Sequence, residues 1–244
     1  MTLKMMPSLN MCGFLYTGAD LGGFGGTTTE DLLLRWLALG IFTPLMRNHS
    51  AMGTREQEAY QFENLDGFRH IIGLRYRLLP YLYSEYMKAV LRDEMMFRPL
   101  AFDYPGDARA AAVEDQLLVG DGMMIAPVYE QNAEGRYVYL PENMKLVRFK
   151  ESGIIEEEVL AAGSHYVPVG LTDVVVFIRP NHLIPLSKGG QCVAAVSFED
   201  LQYLTYAAGG EISYEYYHDD GRGKDYDDPN HISMCYASTC TNKA

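Results

Sequence analysis

The sequence predicts an α/β segment followed by an all-β segment, and three observations predict it. Up to about Leu91, short apolar runs alternate with helical periods, and one long amphipathic helix closes that part. Beyond Arg98-Pro99 the helical period gives way to short runs of β-formers divided by turn residues. With 48% apolar and 21% charged residues among 244, the chain can fill a core and stay soluble, as one large domain or two modest ones.

The elements follow in order. Cys12 to Thr17 is a brief β-prone run ending in Gly18-Ala-Asp20, and a Gly-rich loop through Gly26 then meets Thr27-Thr-Thr-Glu-Asp31. Thr28 with Asp31 resembles a capping box, Glu30 and Asp31 suit the positive end of a helix dipole, and Leu32, Leu33, Trp36 and Leu37 recur at helical spacing until Gly40. Ile41 to Met46 reads as a second strand, ending at Arg47-Asn-His49. A long helix is predicted from about Leu65 to Leu91. Phe68, Ile71, Ile72, Leu78, Leu79, Leu82, Tyr86 and Val90 form its apolar stripe. Pro80 in its interior removes a donor and crowds the carbonyl of Tyr76, which predicts a kink.

In the second segment the β-runs are Gln116 to Val119, Met123 to Val128, Tyr137 to Leu140, Val147 to Phe149, His165 to Val169 and Val174 to Ile178, the texture of an antiparallel β-sandwich. After Pro185, Gln202 to Tyr206 and Ile212 to Tyr217 read as the start of a second small β module, with the last dozen residues frayed.

The net charge of −12 and a pI of about 4.9 oppose binding to nucleic acid or an anionic membrane and leave a neutral substrate indifferent. No apolar stretch approaches the roughly 20 residues that span a bilayer, and Met1 to Met11 lack the pattern of a signal peptide. Cys12, Cys192, Cys235 and Cys240 are scattered without a CxxC pair, which indicates neither a zinc site nor a disulfide scaffold and suits a reduced, cytoplasmic setting. The 18 tyrosines are read mainly as sheet packing. The glycines at Gly22, Gly23, Gly25 and Gly26 form neither a dinucleotide turn nor a Walker loop. Asp219, Asp220, Asp225, Asp227 and Asp228 lack EF-hand spacing and read as a solvated turn, so neither metal nor cofactor is expected.

The chemistry concentrates at the strand ends. Asp20 and His49 each follow a short apolar strand that precedes a helix, and in a βα barrel the site is built from such positions. Taken alone, an Asp after a Gly-Ala turn is more often a helix cap or an ion-pair partner than a ligand group. Occurring together on consecutive βα units, the two become candidates for holding a substrate.

Gly18-Ala-Asp-Leu-Gly-Gly-Phe24, Leu34-Arg-Trp36, Phe42-Thr-Pro-Leu-Met-Arg-Asn-His49, Leu74-Arg-Tyr-Arg-Leu-Leu-Pro-Tyr-Leu-Tyr83, Arg98-Pro-Leu100, Asp115-Gln116 and Ala126-Pro127 together resemble, in that order, the family 31 glycoside hydrolases, the α-glucosidases and α-xylosidases. The likeness runs from the start to about Pro185, Tyr217-His-Asp-Asp-Gly221 resembles a turn of the family's last β domain, and the bacterial intracellular α-glucosidases are the most similar in pattern. The resemblance implies that residues 1–97 are the C-terminal βα units of a (β/α)8 TIM barrel, 98–185 the proximal C-terminal β-sandwich and 186–244 the start of the distal C-terminal β domain.

It implies a retaining hydrolase that releases terminal non-reducing α-linked glucose from oligosaccharides. Asp20 and His49 would bind hydroxyls of the sugar in the cleaved subsite, Phe24 would form its wall and Arg47 would organise it. Two aspartates, one nucleophile and one acid, would lie about 5 to 5.5 Å apart. The segments that carry them in the family, Trp-x-Asp-Met-Asn and Arg-x-x-Gly-Asp, do not occur here, and Gly120-Asp121-Gly122 reads as a turn. The chain is therefore expected to begin inside a barrel and to be inactive alone. Its expected partners are an α-glucoside oligosaccharide and either the N-terminal remainder of the same enzyme or a second copy. Two other readings are open: a non-catalytic carbohydrate-binding or scaffold β-sandwich module, and a truncated reading frame that aggregates through uncovered strand edges.

Overall fold

The computed structural model describes residues 2–237. An α/β part comes first, with helix α1 (Thr2–Met11), strand β1 (Gly18–Leu21), helix α2 (Glu30–Gly40), strand β2 (Leu45–Asn48) and helix α3 (Leu65–Arg92). β1 and β2 pair in parallel with Asp20 opposite Arg47. α1 is an element the sequence reading lacks.

The two expected strands are displaced towards the polar residues that follow them. Gly13 turns the chain at φ 82°, so Cys12 to Thr17 cannot run as a strand. At Ile41 the amide still bonds back to Leu37, Phe42 bonds to Leu39 and Thr43 to Gly40, so Ile41 to Thr43 form tight turns that follow α2 and bury Ile41 and Phe42 in the core. The carbonyls exposed by those turns are taken by one side chain of α3: Arg75 Nη1 donates to Ile41 and Thr43 at 2.7 and 2.8 Å, and Nη2 to Pro44 at 3.3 Å. Pairing starts at Gly18, where a Cβ would lie 1.9 Å from the Leu45 carbonyl oxygen. The helix cap also moves by one residue. Thr29 Oγ1 accepts from the Leu32 amide at 3.2 Å, while the Thr28 hydroxyl donates to the Gly22 carbonyl.

α3 runs unbroken past Pro80. The Tyr76 carbonyl, deprived of its helical donor, accepts instead from Ser187 Oγ at 2.9 Å, and the Arg77 carbonyl accepts from the Ser187 amide at 2.9 Å.

The β part contains strands β3 (Phe97–Pro99), β4 (Leu117–Val119), β5 (Met123–Ile125), β6 (Gly135–Leu140), β7 (Met144–Phe149), β8 (Ile155–Leu160), β9 (Gly163–Pro168), β10 (Val174–Ile178), β11 (His182–Leu186), β12 (Gln202–Tyr206), β13 (Ile212–Tyr217) and β14 (Ile232–Ala237), with short helices α4 (Leu100–Asp103) and α5 (Ala108–Ala112) after β3. Six strands form one antiparallel sheet in the order β3-β4-β5-β10-β7-β8, and β6 pairs with β9, β11 with β12 and β13 with β14.

Both faces of the middle of the six-stranded sheet are covered, which explains why β4, β5 and β10 read as unbroken apolar runs. Leu117, Val119, Met123, Ile125, Val147, Val176 and Ile178 face a core shared with α2, α3 and β11–β13. Their alternate neighbours Leu118, Met124, Leu146 and Phe177 face a second core closed by Val138, Leu140 and Val167 of the β6–β9 pair. The expected fraying of the last dozen residues is corrected in part. Residues 233–237 are paired in β14, and 238–244 lie outside the described residues.

Candidate functional site

Period-two alternation sorts the β1–β2 pair into two faces. Leu21 is fully buried against α2, so close that a Cβ on Gly40 would stand 2.6 Å from its Cδ1, and Met46 packs on the same core. Asp20 and Arg47 therefore project from the opposite face, where Arg47 Nε donates to Asp20 Oδ1 at 2.5 Å. The Asp20 side chain is 22% exposed and that of Arg47 52%. A pair that wet adds little stability, so its effect is to fix where the carboxylate points. Arg47 thus lies half in solvent, on the face of its strand turned away from the core.

Just past Asp20, the Gly23 amide bonds back to the Asp20 carbonyl at 3.0 Å, with Gly22 and Gly23 at φ 93° and 94°. That turn delivers Phe24 to His49, ring centroids 5.6 Å apart and planes 38° apart. The Ala51 amide donates to the Phe24 carbonyl at 2.7 Å, so the loop after β1 and the loop after β2 are stitched by backbone as well. All four residues singled out from the sequence thus stand on one rim, as a carboxylate–guanidinium pair beside a phenyl–imidazole pair. The rim is open: Phe24 is 52% exposed and His49 is exposed as well. An open pocket of about 450 Å³ beside α2, lined in part by Leu3, Leu32, Trp36 and Tyr129, holds none of them.

Chemically, the rim offers a carboxylate acceptor, imidazole and guanidinium donors and one aromatic face, the inventory that binds a neutral polyhydroxylated ring. Asp121 does stand in a turn, between β4 and β5, with its carboxylate 3.2 Å from Arg98 Nη2. Of the acidic loop residues, Asp219 accepts from Tyr83 and Tyr217, and Asp220 from the amides of Arg222 and Gly223.

One residue at this rim escaped the sequence reading. Gln57 is buried in a loop whose neighbours Glu56 and Glu58 are exposed, and it touches both arms of the site. No motif or period marks it.

The family model described as the glycosyl hydrolases family 31 TIM-barrel domain matches residues 1–85, and that described as the glycosyl hydrolase family 31 C-terminal domain matches residues 93–184. The chain belongs to glycoside hydrolase family 31. Alpha-glucosidase 2 of Bacillus thermoamyloliquefaciens is 32% identical over 96% of the chain, and the lysosomal alpha-glucosidase of Bos taurus 34% identical over 87%. The match spans only 29% and 24% of those relatives' own lengths. Among solved structures, the Flavobacterium johnsoniae family 31 dextranase complexed with glucose superposes with a TM-score of 0.79 at 27% identity, over 94% of this chain and 29% of that one.

Proposed function

We propose that this chain is the sugar-holding C-terminal portion of a retaining α-glucosidase that removes terminal non-reducing α-linked glucose from oligosaccharides. The observation that carries the reading is the shared rim: Asp20 is set opposite Arg47 by strand register, and His49 is set against Phe24 by the loop that follows. Asp20 and His49 hydrogen-bond hydroxyls of the glucosyl unit in the cleaved subsite, Phe24 lies along its apolar edge, and Arg47 holds the Asp20 carboxylate in place. The glucose carried by the related dextranase supports a sugar as ligand.

In this proposal β1, β2 and their helices are the last βα units of a (β/α)8 barrel (residues 1–97), followed by a proximal β-sandwich (98–185) and the start of a distal β domain (186–244). Support comes from the β1–β2 sheet. Among the described residues it has only those two parallel strands, and small parallel sheets are found with both faces covered by further structure. The nucleophile and acid aspartates belong to a part of the enzyme outside this sequence, and the cytoplasmic setting rests on the scattered cysteines. Each bond-breaking step needs both carboxylates, and loss of either costs orders of magnitude because they act as a unit.

The purified chain alone should show no turnover of an aryl α-glucoside. Supplied with the barrel region that carries both aspartates, it should turn the substrate over, and Asp20→Ala in that assembly should reduce kcat/KM by about 100-fold or more, as expected for an interaction strengthened in the transition state. Turnover by the chain alone, or full kcat/KM in the Asp20→Ala assembly, overturns the proposal.

A further inference from the structure

The geometry points to Gln57 as a positioning residue that locks the two arms of the rim into one unit. Its amide Nε2 donates to the Gly23 carbonyl at 3.2 Å and reaches the Leu21 carbonyl at 3.5 Å, while Thr28 Oγ1 serves the Gly22 carbonyl between them. The three carbonyls of Leu21, Gly22 and Gly23 are thereby each held by a side chain. On the other arm, Asn48 Nδ2 donates to the Gln57 carbonyl at 2.6 Å, and Asn48 sits between Arg47 and His49. One residue, 3% exposed, therefore fixes Phe24 through its side chain and His49 through its backbone.

Two details argue for hydrogen bonding over space filling. Gln57 Oε1 is buried with no donor, a cost that an apolar side chain of the same length would avoid, so the amide is retained for what its nitrogen does. Gly22, at φ 93°, brings the loop so close that a Cβ there would lie 3.3 Å from Gln57 Oε1 and 3.2 Å from Thr28 Oγ1. The clamp and the glycine turn are built to each other.

As a positioning residue for sugar binding, Gln57 rests on the reading of the rim given above, but its structural effect is measurable without sugar. The ring of Phe24 shifts the His49 imidazole proton resonances, which His49→Asn identifies in the spectrum of the full chain and Phe24→Leu calibrates. Gln57→Met keeps length and burial but removes the donor. Gln57→Glu keeps shape and replaces the donor by an acceptor. Both should move the His49 signals by most of the shift that Phe24→Leu produces, with the His70 and His182 signals unchanged. The sole tryptophan, Trp36, whose ring lies 3.7 Å from where a Gly23 Cβ would stand, should red-shift its fluorescence in the same variants as the loop opens. Unmoved His49 signals in folded Gln57→Met overturn the inference, as does a wild-type spectrum for Gln57→Glu, which would mean that shape alone holds the loop. Should Gln57→Glu fail to fold, Gln57→Met decides. Loss of the sugar reading with an intact His49 response would remove the functional proposal and leave the clamp standing.

Discussion

Gly120→Ala should cost this protein a large part of its stability, and the reason is visible atom by atom. Gly120 lies between β4 and β5 at φ 60°, where a side chain is strained by about 1 kcal/mol. The added Cβ would stand 2.1 Å from Glu85 Oε2 and 2.3 Å from its Cγ, so Glu85 must leave its place. That place is a joint between three layers. Glu85 on α3 accepts from Tyr214 of β13 at 2.6 Å and from the Asp121 amide of the β4–β5 turn at 3.1 Å, and pairs with Lys88 at 2.6 Å, with both charged side chains nearly fully buried. Lys88 also lies 4.5 Å from the centre of the Tyr214 ring. Leaving one member of a buried pair unmatched costs about 3–5 kcal/mol, which with the backbone strain makes about 4–6 kcal/mol. For a chain of this size that is a fall in Tm on the order of 10–20 °C. Urea unfolding followed by far-UV circular dichroism measures it, with Gly106→Ala, whose Cβ meets no atom within 4 Å, as the near-neutral control. A loss below about 1 kcal/mol for Gly120→Ala would refute the packing argument, since it would show that Glu85 can move aside without consequence.

Further outcomes follow from the same reading. Ser187→Ala should destabilise by about 1–3 kcal/mol in the same unfolding experiment, because it strips the donor from the Tyr76 carbonyl that Pro80 left unpaired. Arg75→Ala should cost about 2–4 kcal/mol, and Arg75→Lys should recover only part of it, since a point-like ammonium cannot span the carbonyls of Ile41, Thr43 and Pro44. Burial pushes the Asp103 carboxyl up, but the hydrogen bonds and charges of Arg98 and Arg179 outweigh it and hold the group below the usual carboxylate range. A depressed folded pKa gives stability that is present above the unfolded value near 3.9 and is lost as pH falls through the folded one. The acid-unfolding limb below about pH 4 should therefore flatten in Asp103→Asn, measured as stability against pH.

Where the sequence could be read, a single local pattern decided the outcome. The apolar stripe of α3 and the β-branched run Val174 to Ile178 suffice to place those elements, and Val174 to Ile178 is observed as read. Reading failed where distant partners decide. β8, Ile155–Leu160, carries three consecutive glutamates with no apolar alternation. It forms at a sheet edge, where Lys145 pairs with Glu157, and Arg148 and Lys150 with Glu156. The β2 boundary slipped because Arg75, far along the chain, satisfies a turn that would otherwise have continued as strand, and the β1 boundary because Gly13 turns the chain.

At the site, Asp20 and His49 were singled out by their place after short apolar runs, whereas Phe24 and Arg47 came only with the resemblance to family 31; the structure pairs Asp20 with Arg47 and Phe24 with His49. Gln57 was not legible, because a buried glutamine between exposed glutamates looks like one more polar loop residue until the carbonyls of Leu21 and Gly23 are seen beside it.

The most direct test of the central claim is a crystal structure of the enzyme carrying this sequence with glucose bound. The account predicts one glucosyl ring with hydroxyls within hydrogen-bond distance of both the Asp20 carboxylate and the His49 imidazole, and the Phe24 ring against its edge. Glucose bound elsewhere, with Asp20 engaged only by Arg47 and His49 facing solvent, would contradict it.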